Sequence, residues 1–173
     1  MTDLRYRLGV PFAAGAATAL ALGIYAGAHE PSYRSFVVPG FDGLASWKAA
    51  FTTTAFVLFV LQVGLGRWIT GPAPTWGTDA HRLVGTVAFA VTIPVAFHCL
   101  WALGYQDHDW RVATHSLAGL VAYGLYVAKV ISARSRLDRP AWALPVTGSL
   151  LGIAMLVVWW TSALHWYGGG GGA

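Results

Sequence analysis

The chain has 173 residues, of which 56% are apolar and only 10% are charged, and its formal net charge is +4. A soluble domain carries about 25% charged residues, so this composition excludes an ordinary soluble protein and indicates one that resides in a lipid bilayer. The Lys and Arg residues lie at segment ends and in loops rather than in one patch, so nucleic acid is not an expected partner.

Five apolar stretches are each long enough to cross the hydrocarbon core as a helix, which takes about 20 residues. Because none shows the short alternation of a membrane β-barrel strand, we expect helices throughout. The predicted fold is an all-α membrane protein, a single transmembrane domain over residues 1–173, in which spans two to five form a four-helix bundle. The five predicted transmembrane helices cover about 8–28, 47–69, 80–103, 113–132 and 143–166.

The first stretch also resembles a secretory signal peptide, because Arg5 and Arg7 precede its apolar run and Ala26-Gly27-Ala28 ends it. Its apolar run is longer than the roughly 7–15 residues usual in such a signal. We therefore expect this segment to remain as the first transmembrane helix.

Basic residues are distributed unevenly between the loops, and in membrane proteins Lys and Arg accumulate on the cytoplasmic side. The predicted topology therefore has the N-terminus inside and the C-terminus outside. In that orientation eight basic residues are inner, namely Arg5, Arg7, Arg67, Arg82, Lys129, Arg134, Arg136 and Arg139, and three are outer, namely Arg34, Lys48 and Arg111.

Histidines are the only ionisable side chains set within the apolar stretches, because the carboxylates lie in loops or tails. His98 lies inside span three, whereas His81, His115 and His165 lie just inside the ends of their spans. A polar residue in hydrocarbon is costly and marks a candidate functional site. Since neutral imidazole is a common ligand of membrane haem iron, the pattern points to a small b-type cytochrome.

Spans three and four begin with the same local pattern, His-x-Leu-x-Gly-x-Val-Ala-aromatic, at residues 81–89 and 115–123. In each helix the glycine lies one turn after the histidine on the same face. Gly85 and Gly119 therefore leave room either for a flat macrocycle or for the backbone of a neighbouring helix.

The depths of the histidines limit how much haem the chain can hold. His98, His115 and His165 fall near the outer face, whereas His81 lies near the inner face, about 25 Å from His98 along the helix axis. A low-spin haem b takes two axial histidines from different helices, so one haem near the outer surface is predicted. Similar depth favours His98 with His115, as does the space beside Gly119, while placement between facing helices favours His98 with His165.

Two arginines stand near histidines. Arg111, near His115, is expected to pair with a haem propionate, because a guanidinium matches a carboxylate. On the inner side, Asp79, His81 and Arg82 form the candidate head-group site for menaquinone or ubiquinone, since a histidine can exchange the quinol proton while an arginine polarises a carbonyl.

Two further polar side chains are explained without function. Lys129 lies near the inner end of span four, where its long side chain can reach the interface. Cys99 is the single cysteine, which excludes an internal disulfide and a cysteine-based iron–sulfur or zinc site. We interpret it as a small apolar filler beside His98.

The opening of span three, His-Arg-x-x-Gly at 81–85, followed by His98-Cys99-Leu100-Trp101, resembles the transmembrane haem core of ferric-reductase-type b cytochromes over about residues 47–166. It is also similar to small bacterial proteins of the same plan, which implies the cytoplasmic membrane of a bacterium. The resemblance implies haem b and electron transfer. That core has two histidines on each of two helices, whereas span four here offers only His115 and no FAD or NAD(P)H domain follows. One haem is therefore expected, not a two-haem relay.

The combined expectation is a membrane b-type cytochrome subunit. It would transfer electrons between the quinone pool and an extracytoplasmic carrier or redox subunit. The alternative is a cofactor-free membrane anchor or assembly subunit of a larger redox complex. A transporter is disfavoured because no carboxylate lies within a span, and a stand-alone enzyme because no nucleophile–base pair or metal–carboxylate cluster is present.

Overall fold

The computed structural model describes residues 2–34, 38–69, 74–135 and 140–170, with side chains from residue 8 to residue 169. Arg136 and Arg139 lie outside the described residues, and so do the side chains of Arg5 and Arg7. Within the described ranges the chain forms helices and no strand. The helices are α1 (Thr2–Ala28), α2 (Leu44–Trp68), α3 (Thr75–His98), α4 (Trp110–Arg134) and α5 (Ala143–Trp159).

Among the described residues, five helical segments are long and apolar enough to cross a membrane. The first and last residues of each segment lie within five residues of the predicted ends of the corresponding span. Large apolar side chains such as Leu20, Leu83 and Ile153 are exposed along them and supply a surface for lipid. The prediction of an all-α, multi-pass membrane protein with five spans is confirmed. The segments are Leu8–Ala28, Leu44–Trp68, Thr75–Leu103, Trp110–Arg134 and Ala143–Gly169.

The outer ends of α3 and α5 depart from α-helical geometry. The chain continues past His98 as a π-helical turn at Cys99–Leu103, and past Trp159 as another at Trp160–Leu164. Such turns are rare and occur frequently at functional sites. Both lie in the half of the molecule that is predicted to face outward, here called the outer half, at the level of the predicted histidine group.

A sharp turn joins α3 to α4. Gly104 has φ +68°, a conformation that L side chains rarely adopt, and a Cβ there would lie 3.0 Å from the Ala26 carbonyl oxygen. The next amide, Tyr105 N–H, donates to that same oxygen at 2.8 Å. The helix α4 then begins at Asp109, whose carboxylate accepts from Val112 N–H at 2.9 Å as an N-cap.

Spans two to five surround a common core in the order α3, α2, α5, α4, and neighbours in this order pack directly. Within the described chain, the backbones of α3 and α4 do not pack closely against each other. Several core positions are alanines, which let the helices approach. The core consists of Ala55, Phe59, Ala88, Ala122, Leu151, Ala154 and Met155.

Side chains bridge the gap between α3 and α4, which we call the α3–α4 crevice. The ring of Phe89 stacks on that of Tyr126, with centroids 3.7 Å apart and planes at 3°. One turn further out, the Thr92 hydroxyl hydrogen-bonds the Tyr123 hydroxyl at 2.9 Å. These bulky groups hold the two helices apart in the middle of the crevice.

The first helix packs along α4 rather than along α2, its neighbour in sequence. Two glycines allow the close crossing, because a Cβ at Gly124 would lie only 2.7 Å from the Gly15 carbonyl oxygen. At its outer end α1 also reaches the π-helical turn after α3, where the His29 ring nitrogen Nε2 hydrogen-bonds the Trp101 carbonyl oxygen at 3.0 Å. Thus α1 covers the outer part of the α3–α4 crevice.

Candidate functional site

A mostly apolar cavity of about 110 Å³ occupies the outer part of the α3–α4 crevice. All five helices contribute to its wall. For comparison, an engineered apolar cavity of about 150 Å³ binds benzene, so this space suits a group about as large as one small ring. Its wall includes Leu22 from α1, Thr52 from α2, Cys99 after α3, His115 and Gly119 from α4, and Met155 from α5.

His115 is held in one orientation at the edge of this cavity. Its Nδ1 lies 3.2 Å from the Thr161 hydroxyl, which itself donates to the Val157 carbonyl at 2.6 Å. Since a hydroxyl has a single hydrogen, Thr161 must accept from His115 at Nδ1. This arrangement fixes the tautomer with the proton on Nδ1 and leaves Nε2 with a lone pair, as a metal ligand requires.

Cys99 lies between two imidazoles. Its thiol is within hydrogen-bonding reach of the His115 and His98 side chains, and it forms part of the cavity wall. We expected an apolar filler, and the structure gives this residue a polar setting instead. The helical spacing contained the signal, because Thr92 and Cys99 are seven residues apart and so share one face of α3.

His98 is buried, with 1% of its surface exposed, and packs edge-on against the equally buried Trp47, with ring centroids 5.9 Å apart and planes at 84°. The side chain that α3 contributes to the cavity wall at this level is Cys99 rather than His98. The structure therefore brings the predicted pair, His98 and His115, within hydrogen-bonding reach of one sulfur atom.

His165 lies apart from this group. Its side chain is exposed in an open cleft between the outer ends of α4 and α5, which also contains Arg111 and Trp160. Arg111 donates through Nη1 to the Thr161 carbonyl oxygen at 2.8 Å, and its Nη2 lies 3.9 Å from Asp109. Arg111 thus ties the start of α4 to the π-helical turn after α5.

The two copies of the histidine–glycine pattern differ in the space beside their glycines. At Gly119 the space beside the backbone is open, because no described heavy atom lies within 4 Å of where a Cβ would be. At Gly85 the space is filled, because a Cβ would lie 3.1 Å from Gln62 Oε1. The Gln62 amide in turn donates to the His81 carbonyl at 2.6 Å. Hence only the second copy of the pattern lines a cavity.

The three residues predicted for the inner quinone site do not converge. Arg82 and Asp79 form an ion pair at 3.6 Å whose side chains are 75% and 80% exposed. His81 instead turns towards α2, where its Cε1 lies 3.5 Å from the Cβ position of Gly66. Its cationic neighbour is Lys129 of α4, a residue that we interpreted from the sequence as a snorkelling side chain.

Among the residues that the structure describes, no group of three or more His, Cys, Asp or Glu side chains is arranged to hold a metal ion.

Comparison with known proteins gives one match. A family model described as a family of unknown function, DUF6529, matches residues 8–171. No curated protein and no solved structure matches the chain.

Proposed function

Because the chain belongs to DUF6529, a family of unknown function, we propose its role from its own geometry. The proposal is a membrane b-type cytochrome subunit that binds one haem at the outer end of the α3–α4 crevice. It would transfer electrons between the membrane quinone pool and an extracytoplasmic redox partner. The observation that carries the proposal is the contact between His115 Nδ1 and the Thr161 hydroxyl, which leaves the Nε2 lone pair available on a residue that lines an apolar cavity.

The donor set fits a haem in three respects. His115 has a hydrogen-bonded Nδ1, which is the usual support of a ligating histidine. Gly119, one turn along α4, leaves open space next to it. His98, which belongs to α3 and packs against Trp47, is the proposed second axial ligand, and Cys99, within reach of both rings, is the alternative. When bound, a haem would supply reversible one-electron transfer.

The volume of the cavity is the main obstacle to haem binding. The cavity of about 110 Å³ is smaller than a typical ligand pocket of roughly 300–1,000 Å³. Haem insertion therefore requires α3 and α4 to move apart. Only side chains bridge these two helices in the described chain, so separating them disturbs less helix-to-helix contact than opening any neighbouring pair in the bundle.

The experiment is an absorption spectrum of the purified protein, oxidised and then dithionite-reduced, with a haem count by the pyridine haemochrome method. We expect the sharpened α-band of a reduced b-type haem and about one haem per chain. His115→Ala and His98→Ala should each lose most of the haem. If Cys99 is the second ligand, Cys99→Ser will lose it and His98→Ala will not.

His108→Ala is the matched control, because His108 lies in the outer loop with its side chain 66% exposed. This variant should retain the haem, and His165→Ala should do so as well. A colourless wild-type protein from cells supplied with haem would contradict the proposal. The alternative function, a cofactor-free anchor or assembly subunit, would then be favoured.

A further inference from the structure

The inner end of the α3–α4 crevice contains two polar side chains that the proposed haem site does not use. His81 extends from α3 and Lys129 from α4, and they are close enough for the charge of Lys129 to act on His81. By helix rise, His81 lies about 9 Å from the start of α3 and Lys129 about 7.5 Å from the end of α4. Both therefore sit near the boundary between inner head groups and hydrocarbon.

Glycines on the two flanking helices make room for these side chains. The Lys129 ammonium lies 3.5 Å from where a Cβ would stand on Gly148 of α5. The His81 ring lies at the same distance from the Cβ position of Gly66 on α2. Thus His81 lies against a glycine of α2 and Lys129 against a glycine of α5, and neither glycine has a side chain that would displace them.

In the part of the chain that the structure describes, no carboxylate pairs with the Lys129 ammonium, and the nearby acid Asp79 pairs with Arg82 instead. The His81 Nδ1 atom is buried and likewise makes no hydrogen bond to the described chain. A half-buried positive charge in an apolar span is costly, and a bound anion would lower that cost.

We propose that His81 and Lys129 form a binding site for the phosphate of an anionic phospholipid from the inner leaflet. Lys129 would pair with the phosphate charge and His81 would donate a hydrogen bond to it. The acyl chains would follow the α3–α4 crevice, which helix-to-helix contact does not close. Basic sites between helices on the cytoplasmic side are known to bind anionic head groups. This site is independent of any haem at the outer end.

The test is native mass spectrometry of the detergent-solubilised chain, titrated with dioleoyl phosphatidylglycerol or with dioleoyl phosphatidylcholine. We expect one phosphatidylglycerol to bind at least tenfold more tightly than phosphatidylcholine. Lys129→Gln should abolish that preference, whereas Lys129→Arg should retain it. His81→Gln, which removes the ring but not the charge of Lys129, should weaken phosphatidylglycerol binding severalfold.

Arg82→Gln is the control, because it removes an exposed cation at a similar depth on the same helix. It should change the preference by less than twofold. Equal binding of both lipids by the wild type would overturn the proposal, and so would equal losses in Lys129→Gln and Arg82→Gln. Millimolar inorganic phosphate that displaces phosphatidylglycerol would show that the site takes a free oxyanion rather than a lipid.

Discussion

At the scale of single residues, Thr161 organises the outer site although it is not itself a candidate ligand. Its hydroxyl orients His115, while its backbone carbonyl accepts from Arg111. One residue in the π-helical turn after α5 thus contacts two side chains of α4. Arg111, which we expected to meet a haem propionate, is held by protein atoms and keeps part of its guanidinium in the outer cleft.

We predict that Thr161→Val weakens haem binding about 10- to 100-fold, because the isosteric side chain no longer accepts from His115 at Nδ1. Thr161→Ser keeps the hydroxyl and should bind haem as the wild type does. Haem retention during dialysis against apomyoglobin measures the difference. Equal retention by the two variants would show that the hydrogen bond does not support a ligand.

A second prediction at this scale concerns pH. The hydrogen bond from Val112 N–H, followed by the influence of Arg111, lowers the pKa of Asp109 below its ordinary value. The stabilisation from this ionised cap is complete above the unfolded pKa of about 3.9 and is lost as the pH falls through the folded pKa. The protection factor of the Val112 amide, which is the exchange rate of an unstructured amide at the same pH divided by its own, should therefore fall under acidic conditions, below about pH 4. Asp109→Asn, an uncharged cap, should show no such transition.

The sequence identified the histidines as candidate site residues, but it did not show which way their side chains point. Adjacent residues on a helix differ by about 100° in direction. The rotation of α3 about its own axis therefore decides whether His98 or Cys99 faces the crevice. The same rotation separates His81, which turns inward, from Arg82, which reaches the surface. Packing between helices sets that rotation, and a single span carries little information about it.

At the scale of elements, the sequence was more informative. Span length and apolarity are properties of local sequence, so the five helices and their ends were predicted within a few residues. The predicted four-helix bundle is present, with one side bridged by side chains instead of backbone contact. Aromatic residues such as Phe89 and Tyr126 keep that side apart, an effect that depends on which rings meet across two helices.

The crossing of α1 with α4 gives a prediction for helix packing. Gly15→Ala places a methyl group against the Gly124 carbonyl, so the two backbones must separate. We expect a loss of about 1–3 kcal/mol in unfolding free energy, seen as a fall of several degrees in Tm. Gly9→Ala is the matched control on the same helix, since nothing lies within 4 Å of its Cβ position.

At the scale of the whole molecule, charge and the odd number of spans determine how the chain lies in the membrane. With five spans the two ends of the chain fall on opposite sides. The bias of basic residues towards the cytoplasm predicts that Arg67, Arg82, Lys129 and Arg134 lie on the inner side. The proposed haem site comes to lie near the outer surface and the proposed lipid site near the inner one.

Topology reporters test this orientation. Alkaline phosphatase fused after residue 173 should be active, because this enzyme works only outside the cytoplasm. A green fluorescent protein fused at the same position should not fluoresce. Fusions in the loop between α2 and α3 should give the opposite pair of results. The reverse pattern at both positions would invert the molecule and move the proposed haem site to the cytoplasmic side.

The pairing of α1 with α4 also has a consequence for biosynthesis. At the usual 5–20 residues per second, the ribosome needs roughly 5 to 20 seconds to extend the chain from the end of α1 to the end of α4. During that interval the surface of α1 around Gly15 is not yet covered by α4, its partner in the folded molecule. The outer cavity cannot be enclosed until α4 has inserted. Docking of α1 against α4 is therefore a late step in the assembly of the molecule.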